Sequence, residues 1–397
     1  MFRERTRSMI RHINRAGSLA PSNDRRISGA KFLGLSVLPV LLGLLATTIP
    51  AAAQESPESI WRGYLERRVA RIERRMDEAP AAGPSERQQL LDMLGLDPLP
   101  SRGDLQATVT GTVEREGVTV EKLHFRSLPG LYVTADLYRP AEAPEDRRLP
   151  AVLYLCGHGQ VKRDGISYGN KTYYQHHGWW LARHGILCLV IDSLQLGEIE
   201  GIHHGTYRHD RWWWITRGYT PAGVEAWNCI RAIDYLESRP DVDASRIGCT
   251  GRSGGGAYSW WIAAIDDRIR CAVPVAGITD LRDHVVHDKV EGHCDCMYFV
   301  NLYGWDYPRV AELVAPRPLM IANTDRDPIF PLGGVVRTHA FVERAYRREQ
   351  TEASLALLIT PGGHDDTQDL QIPTLRWLRK HLTQIDEPIT LVAAPKF

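Results

Sequence analysis

The stretch Arg246–Trp260, RIGCTGRSGGGAYSW, constrains this chain more than any other. A short apolar run, Ile247–Thr250, gives way at once to glycines around Ser253 and then to a helical pattern from Ala257. The pattern predicts a buried strand, an abrupt turn and a helix. Gly251 and Gly255 stand two residues either side of Ser253, and without a Cβ they let strand and helix approach closely beneath it. A serine at such a tip has its hydroxyl pushed into the cleft above. The amide of Gly254 then points where an oxyanion would form. The same residues also fit a glycine-rich loop without chemistry, or a phosphate-binding turn, so partners elsewhere in the chain have to decide.

The apolar runs around this turn set the fold class. AVLYLC (151–156), ILCLVID (186–192), CAVPVAG (271–277), PLMIANT (318–324) and SLALLIT (354–360) are continuous rather than alternating, as expected of strands covered on both faces. Helical patterns at 173–184, 222–238, 335–346 and 372–382 separate them. Such alternation predicts an α/β fold with a mostly parallel sheet, right-handed crossovers and helices on both faces. Three alternating stretches between Ala107 and Tyr138, broken at Gly117 and Pro129-Gly130, predict antiparallel N-terminal strands. Two polar, aromatic insertions (about 193–219 and 278–310) read as lids above the sheet. The expected organisation is a signal peptide at 1–53, a charged helical flank at 54–105, a catalytic domain at 106–385 and a tail at 386–397.

The signal reading rests on order. Arginines between Arg3 and Arg26 precede an apolar run, Phe32–Thr48, and then Ala51-Ala52-Ala53, which predicts export and cleavage before Gln54, hence a secreted or periplasmic protein. An uncleaved N-terminal anchor is the alternative. Arg25-Arg26 alone does not separate twin-arginine from general export. Lys+Arg and Asp+Glu both number 48, so no net field favours nucleic acid or an anionic membrane. Of the seven cysteines, Cys188, Cys249 and Cys271 sit in apolar runs and read as small buried hydrophobes. An odd count leaves at least one unpaired; Cys294 or Cys296 pairs to pin the second insertion, or stays free.

A serine nucleophile needs a base and a carboxylate to orient it, because a free hydroxyl attacks poorly near neutral pH. The two last strand-like runs end in TDRDPIFP (324–331) and PGGHD (361–365). Both lie beyond the carboxyl ends of parallel strands, where open α/β sheets place their sites. Ser253, Asp327 and His364 are therefore the candidate triad, with Asp325 competing for the acid's role. The turn that closes at Pro331 favours Asp327. Cys156-Gly157-His158-Gly159 follows the first doubly covered strand, and the amide of Gly157 or His158 is the candidate second oxyanion donor beside Gly254.

GRSGGG, the CGHG loop, TDRDPIFP and PGGHD together resemble the α/β-hydrolase esterases of the acetyl xylan esterase and dienelactone hydrolase-like groups. SLQLGEIEGIHHG and APRPLMIANTDRD are similar to secreted bacterial proteins commonly labelled acetyl xylan esterases. The resemblance spans roughly Leu131–Leu382 and implies an α/β-hydrolase fold, with hydrolysis of short acyl esters on carbohydrate and no cofactor. Such families often carry histidine first in the oxyanion loop, where this chain has Cys156.

Substrate choice is expected in the insertions. Trp212-Trp213-Trp214 with His203, His204, Tyr207 and His209 makes one aromatic, polar cluster, and Trp305 adds a ring from the other insertion. Flat rings suit the apolar faces of sugars, so Trp213, Trp214 and Trp305 are candidate substrate contacts; ordinary packing is the alternative. Arg252 and Arg326 could each read a substrate carboxylate. His203-His204 and His293-Cys294-Asp295-Cys296 hold metal-ligand types, but neither offers a second well-spaced pair, and no metal is expected. A prolyl-oligopeptidase-like serine peptidase and a non-catalytic carbohydrate-binding protein on a hydrolase fold remain the competing functions.

Overall fold

The structure, a computed structural model, describes residues 56–142, 147–203, 205, 206 and 208–390. The expected signal peptide, most of the tail, His204 and Tyr207 lie outside them. Glu55–Phe397 forms one compact unit. Among the described residues no helix is long and apolar enough to cross a membrane.

A nine-stranded sheet organises the unit. Its strands are β1 (Thr108–Arg115), β2 (Val118–Leu128), β3 (Leu131–Pro140), β4 (Leu149–Leu155), β7 (Leu187–Ile191), β8 (Val242–Arg252), β9 (Ile269–Val275), β10 (Leu319–Thr324) and β11 (Leu355–Thr360). A separate small hairpin joins β5 (Val161–Arg163) to β6 (Ile166–Tyr168). The sheet order is β1-β2-β3-β7-β4-β8-β9-β10-β11. The first three strands pair antiparallel, β3 meets β7 antiparallel, and every later pair is parallel.

Helices longer than eight residues are α1 (Pro57–Glu78), α2 (Pro84–Leu94), α3 (Gln175–Arg183), α4 (Pro221–Ser238), α5 (Gly254–Ile265), α6 (Leu332–Arg348) and α7 (Gln368–Thr383). They cover both faces, which explains the continuous apolar runs. On β4, Ala151, Leu153 and Leu155 face the core under α2, α4, α5 and α6. Val152 and Tyr154 face the core under α3 and α7. Side chains alternate across a strand, so a strand apolar at every position needs a cover on each side. Helix α4 starts sharply because Thr220 accepts the Gly223 amide at 2.8 Å and Pro221 needs no donor at the first helical position.

The carboxyl edge also carries a buried charge cluster. Lys171 Nζ donates to Asp192 Oδ2 at 2.9 Å, with both side chains 3% exposed. Asp136, on β3, is buried nearby; burial, opposed by Lys171, pushes its carboxyl up to about 6. A carboxyl held above its unfolded value contributes stability that is full below the unfolded pKa and is lost as the pH rises through the folded one. Asp136→Asn is therefore expected to leave unfolding free energy unchanged near pH 4. At pH 8 it should raise that energy by about 1–3 kcal/mol, read by urea denaturation. An equal effect at both pH values would show that the substitution acts through packing instead.

Candidate active site

Strand β8 delivers Ser253 to the carboxyl edge, and the backbone there is strained. Ser253 has φ +59° and ψ −120°, a region that costs a residue with a Cβ about 1–3 kcal/mol. The turn is held from both sides: the Ser253 amide donates to Val275 O at 3.0 Å, and its carbonyl accepts from the Ala257 amide at 3.0 Å. Glycine is required below it. A Cβ on Gly255 would lie 1.9 Å from the carbonyl oxygen of Leu155, and one on Gly251 would lie 2.3 Å from it. Helix α5 thus begins right behind the serine, earlier than its apolar pattern suggests. Gly254 is its first residue, and first-turn amides have no acceptor within the helix.

Two other strand ends bring partners to this hydroxyl. His364 follows β11, and its Nε2 lies 3.0 Å from Ser253 Oγ. Asp327 follows β10, and its Oδ2 lies 2.7 Å from His364 Nδ1. Asp327 Oδ1 accepts the amides of Ile329 at 2.8 Å and Phe330 at 3.0 Å. Burial pulls the Asp327 carboxyl upward, but the His364 contact and these two amides outweigh it and hold the group below the ordinary Asp value. An ionised Asp327 accepts from Nδ1–H, which leaves Nε2 with a lone pair to take the proton of Ser253 Oγ–H. Asp325 is exposed and occupied elsewhere, accepting the Gly362 amide at 2.9 Å. A hydroxyl, an imidazole and a buried carboxylate in this chain can perform nucleophilic acyl transfer.

The loop after β4 approaches from the opposite side. A Cβ on Gly157 would lie 3.3 Å from Ser253 Cβ and 2.6 Å from the Arg252 carbonyl, so only glycine lets this backbone come so near. The loop's carbonyls are tied away from the serine. Cys156 O accepts Ser193 Oγ–H at 3.0 Å, and Gly157 O accepts Asn170 Nδ2–H at 2.9 Å. Since a trans peptide sets N–H opposite C=O, these bonds fix where the amides of Gly157 and His158 point.

The comparisons with known proteins fit this frame. Residues 213–293 match the Prolyl oligopeptidase family (Peptidase_S9). A protein of Bacillus subtilis (strain 168) named as a hydrolase, YtaP, is 27% identical over 304 residues, spanning 75% of this chain and 98% of YtaP. Among solved structures, Methylesterase BT1017 superposes with a TM-score of 0.58 at 24% identity, over 80% of this chain; the match spans 66% of that protein's length. Glucuronoyl Esterase from Solibacter usitatus superposes with a TM-score of 0.61 at 17% identity, over 77% of this chain and 95% of its own. The chain has the α/β-hydrolase fold.

Within this fold the other expected site residues divide. Trp213 and Trp214 sit on a short helix, Trp213–Thr216, and line a cavity of about 420 Å³ with Tyr219, Leu194 and Ser193. One of its lining residues, Ser193, bonds the Cys156 carbonyl at the start of the loop beside Ser253. Trp305 does not line the cavity: the ring is buried in the core and its backbone is clamped by Asn301. Arg252 shares a strand face with Thr250 and lies buried with Tyr154, His177 and Asp366 under α7. Arg326 is exposed. None of the seven cysteines, Cys294 and Cys296 included, is joined in a disulfide. The His158 side chain is turned toward Tyr258, His203 and Cys296.

Asn170 and Ser193 escaped the sequence reading. Asn170 is fully buried, its Nδ2 lying 2.8 Å from Ser193 Oγ and its Oδ1 accepting the Ser193 amide at 3.0 Å. No periodic signal marks a lone asparagine before α3; only its contact with a distant strand end does. As a positioning residue it should act on turnover more than on binding. Asn170→Ala is expected to lower kcat on p-nitrophenyl acetate about 10- to 100-fold with KM nearly unchanged. A kcat within twofold of wild type would show that the loop holds its amides without it.

Proposed function

We propose that the protein is a serine carboxylic-ester hydrolase acting on short acyl, chiefly acetyl, esters borne by xylan or similar plant-type glycans outside the cytoplasm. The Ser253–His364–Asp327 hydrogen-bond chain carries the reading. Ser253 Oγ adds to the ester carbonyl as His364 Nε2 takes its proton. The amides of Gly254 and of Gly157 or His158 hold the oxyanion. Collapse breaks the carbonyl–alkoxy bond, and the alcohol leaves with the proton from His364. Water, deprotonated by the same imidazole, then releases the acid and restores Ser253. Asp327 keeps the imidazole in the tautomer this needs.

The tryptophan-lined cavity, linked to the oxyanion loop through Ser193, supports a sugar-bearing alcohol. Fold neighbours named as methylesterase and glucuronoyl esterase raise a specific rival, an ester whose sugar is on the acid side. Burial of Arg252 beneath the turn weighs against that rival, since its guanidinium is not exposed to meet a uronate. A peptidase reading draws on the Prolyl oligopeptidase match over 213–293. The test is a panel of acetylated xylan, a methyl uronate, a glucuronoyl ester and a prolyl peptide. Fastest turnover on acetylated xylan is expected; preference for either uronate ester, or for the peptide, would overturn the substrate assignment.

A further inference from the structure

Two thiols and two imidazoles meet above the carboxyl edge, contributed by three separate segments. His158 comes from the loop after β4, His203 from the first insertion, and Cys294 and Cys296 from the second. One donor atom from each lies within 4.8 Å of every other. Cys294 Sγ is 2.9 Å from His203 Nε2, and Cys296 Sγ is 3.4 Å from His158 Nε2 and 3.8 Å from His203 Nε2. A tetrahedral zinc ion with the usual bond lengths spaces its nitrogen and sulfur ligands about 3.3–3.8 Å apart; the two Cys296 distances fall in that range, and Cys294 and His203 would open by about 0.5 Å around the ion. We propose that His158, His203, Cys294 and Cys296 form a closed, four-ligand site for a zinc-type divalent cation.

The surroundings are those of a metal site. His203 Nδ1 lies 2.9 Å from the Leu194 carbonyl, which takes its N–H and leaves the lone pair on Nε2, the nitrogen that faces Cys294 and Cys296. Metal-bound imidazoles are held in this way. The Leu194 amide in turn donates to the buried Glu225 carboxylate at 2.6 Å. Cys296 Sγ accepts from Tyr258 O–H at 2.8 Å, and Cys294 Sγ from the Cys296 amide at 3.5 Å. These bonds suit thiolates, and both cysteines are buried. Two thiolates and two imidazoles select zinc over calcium or magnesium. Binding converts two thiols to thiolates and releases two protons.

No metal is expected from the sequence because His293-Cys294-Asp295-Cys296 offers no second well-spaced pair, and His293 is not one of the four ligands. The missing nitrogens come from loops some 90 and 140 positions away in the chain. All four positions are filled by protein, so the ion is structural rather than catalytic. It would tie both insertions to the loop whose amides face Ser253: the His158 ring lies so close to the elbow that a Cβ on Gly254 would touch it at 2.7 Å.

The inference does not depend on the esterase reading, and neither does its test. Full-length protein, purified without a polyhistidine tag or chelator, is assayed for metal by elemental mass spectrometry. About one zinc per chain is expected, falling below ~0.1 in Cys294→Ser/Cys296→Ser. Should that variant fail to fold, wild type exchanged into cobalt(II) decides: the site predicts intense visible bands of a tetrahedral ion plus thiolate-to-cobalt charge transfer. A metal-free chain that gains no such bands overturns the proposal. So does a Cys294–Cys296 disulfide found by intact mass.

Discussion

Ser253→Ala is expected to lower kcat/KM on p-nitrophenyl acetate by roughly 10⁴- to 10⁶-fold, because no other group can form the acyl-enzyme. His364→Ala should fall almost as far, and the double variant no further, since the two act as one unit. Fold is not at risk: Ser253 is partly exposed, and its Oγ has His364 as a partner rather than a core contact. The elbow makes a second, opposite effect expected. Ser253 sits at φ +59°, so Ser253→Gly, equally inactive, should unfold at higher urea, by about 1 kcal/mol. A dead variant more stable than wild type would show that strain is held at the nucleophile. Residual activity within tenfold of wild type in Ser253→Ala would remove the serine from the mechanism.

The second large effect is structural. Lys171→Met is expected to destabilise the protein by about 3–5 kcal/mol, because it leaves Asp192 buried without its cation. Asp192 accepts from Lys171 Nζ at 2.9 Å, from the Lys171 amide at 2.8 Å and from Thr134 Oγ1 at 2.6 Å. Glu198 also reaches Lys171 Nζ at 2.6 Å but is half exposed. The loss should be partly restored in Lys171→Met/Asp192→Asn, since removing both charges leaves no orphan. Equilibrium urea denaturation of the three variants measures this. A loss below about 1 kcal/mol in the single variant would mean that water reaches the pair. Asp192 and Lys171 adjoin Ser193 and Asn170, so the cluster that stabilises this edge also sets the loop facing Ser253.

Much of the sheet was legible because its signal is local. Residues 151–156 and 186–191 are apolar at every position, and such runs require cover on both faces, as α3 and α4 provide. The hairpin β5–β6 was not legible, since three-residue strands carry no period. The start of α5 was misplaced by three residues: Gly254, Gly255 and Gly256 read as turn, whereas the helix begins on glycine because Leu155 lies against it. Ser253, Asp327 and His364 could be read from strand ends, where position alone suggests chemistry. Asn170, Lys171 and Asp192 could not, because each matters only through partners brought close by the fold. The tryptophans show the same limit. Nothing in the sequence separates Trp305, which is core, from Trp214, which lines a cavity.

One measurement reaches the central claim directly. Wild-type protein is treated with a fluorophosphonate, which reacts with a hydroxyl only when a base activates it, and the adduct is located by peptide mass mapping. The account predicts a single adduct on Ser253, lost in His364→Ala and slowed in Asp327→Asn. An unlabelled Ser253, or an adduct formed as fast without His364, would contradict it.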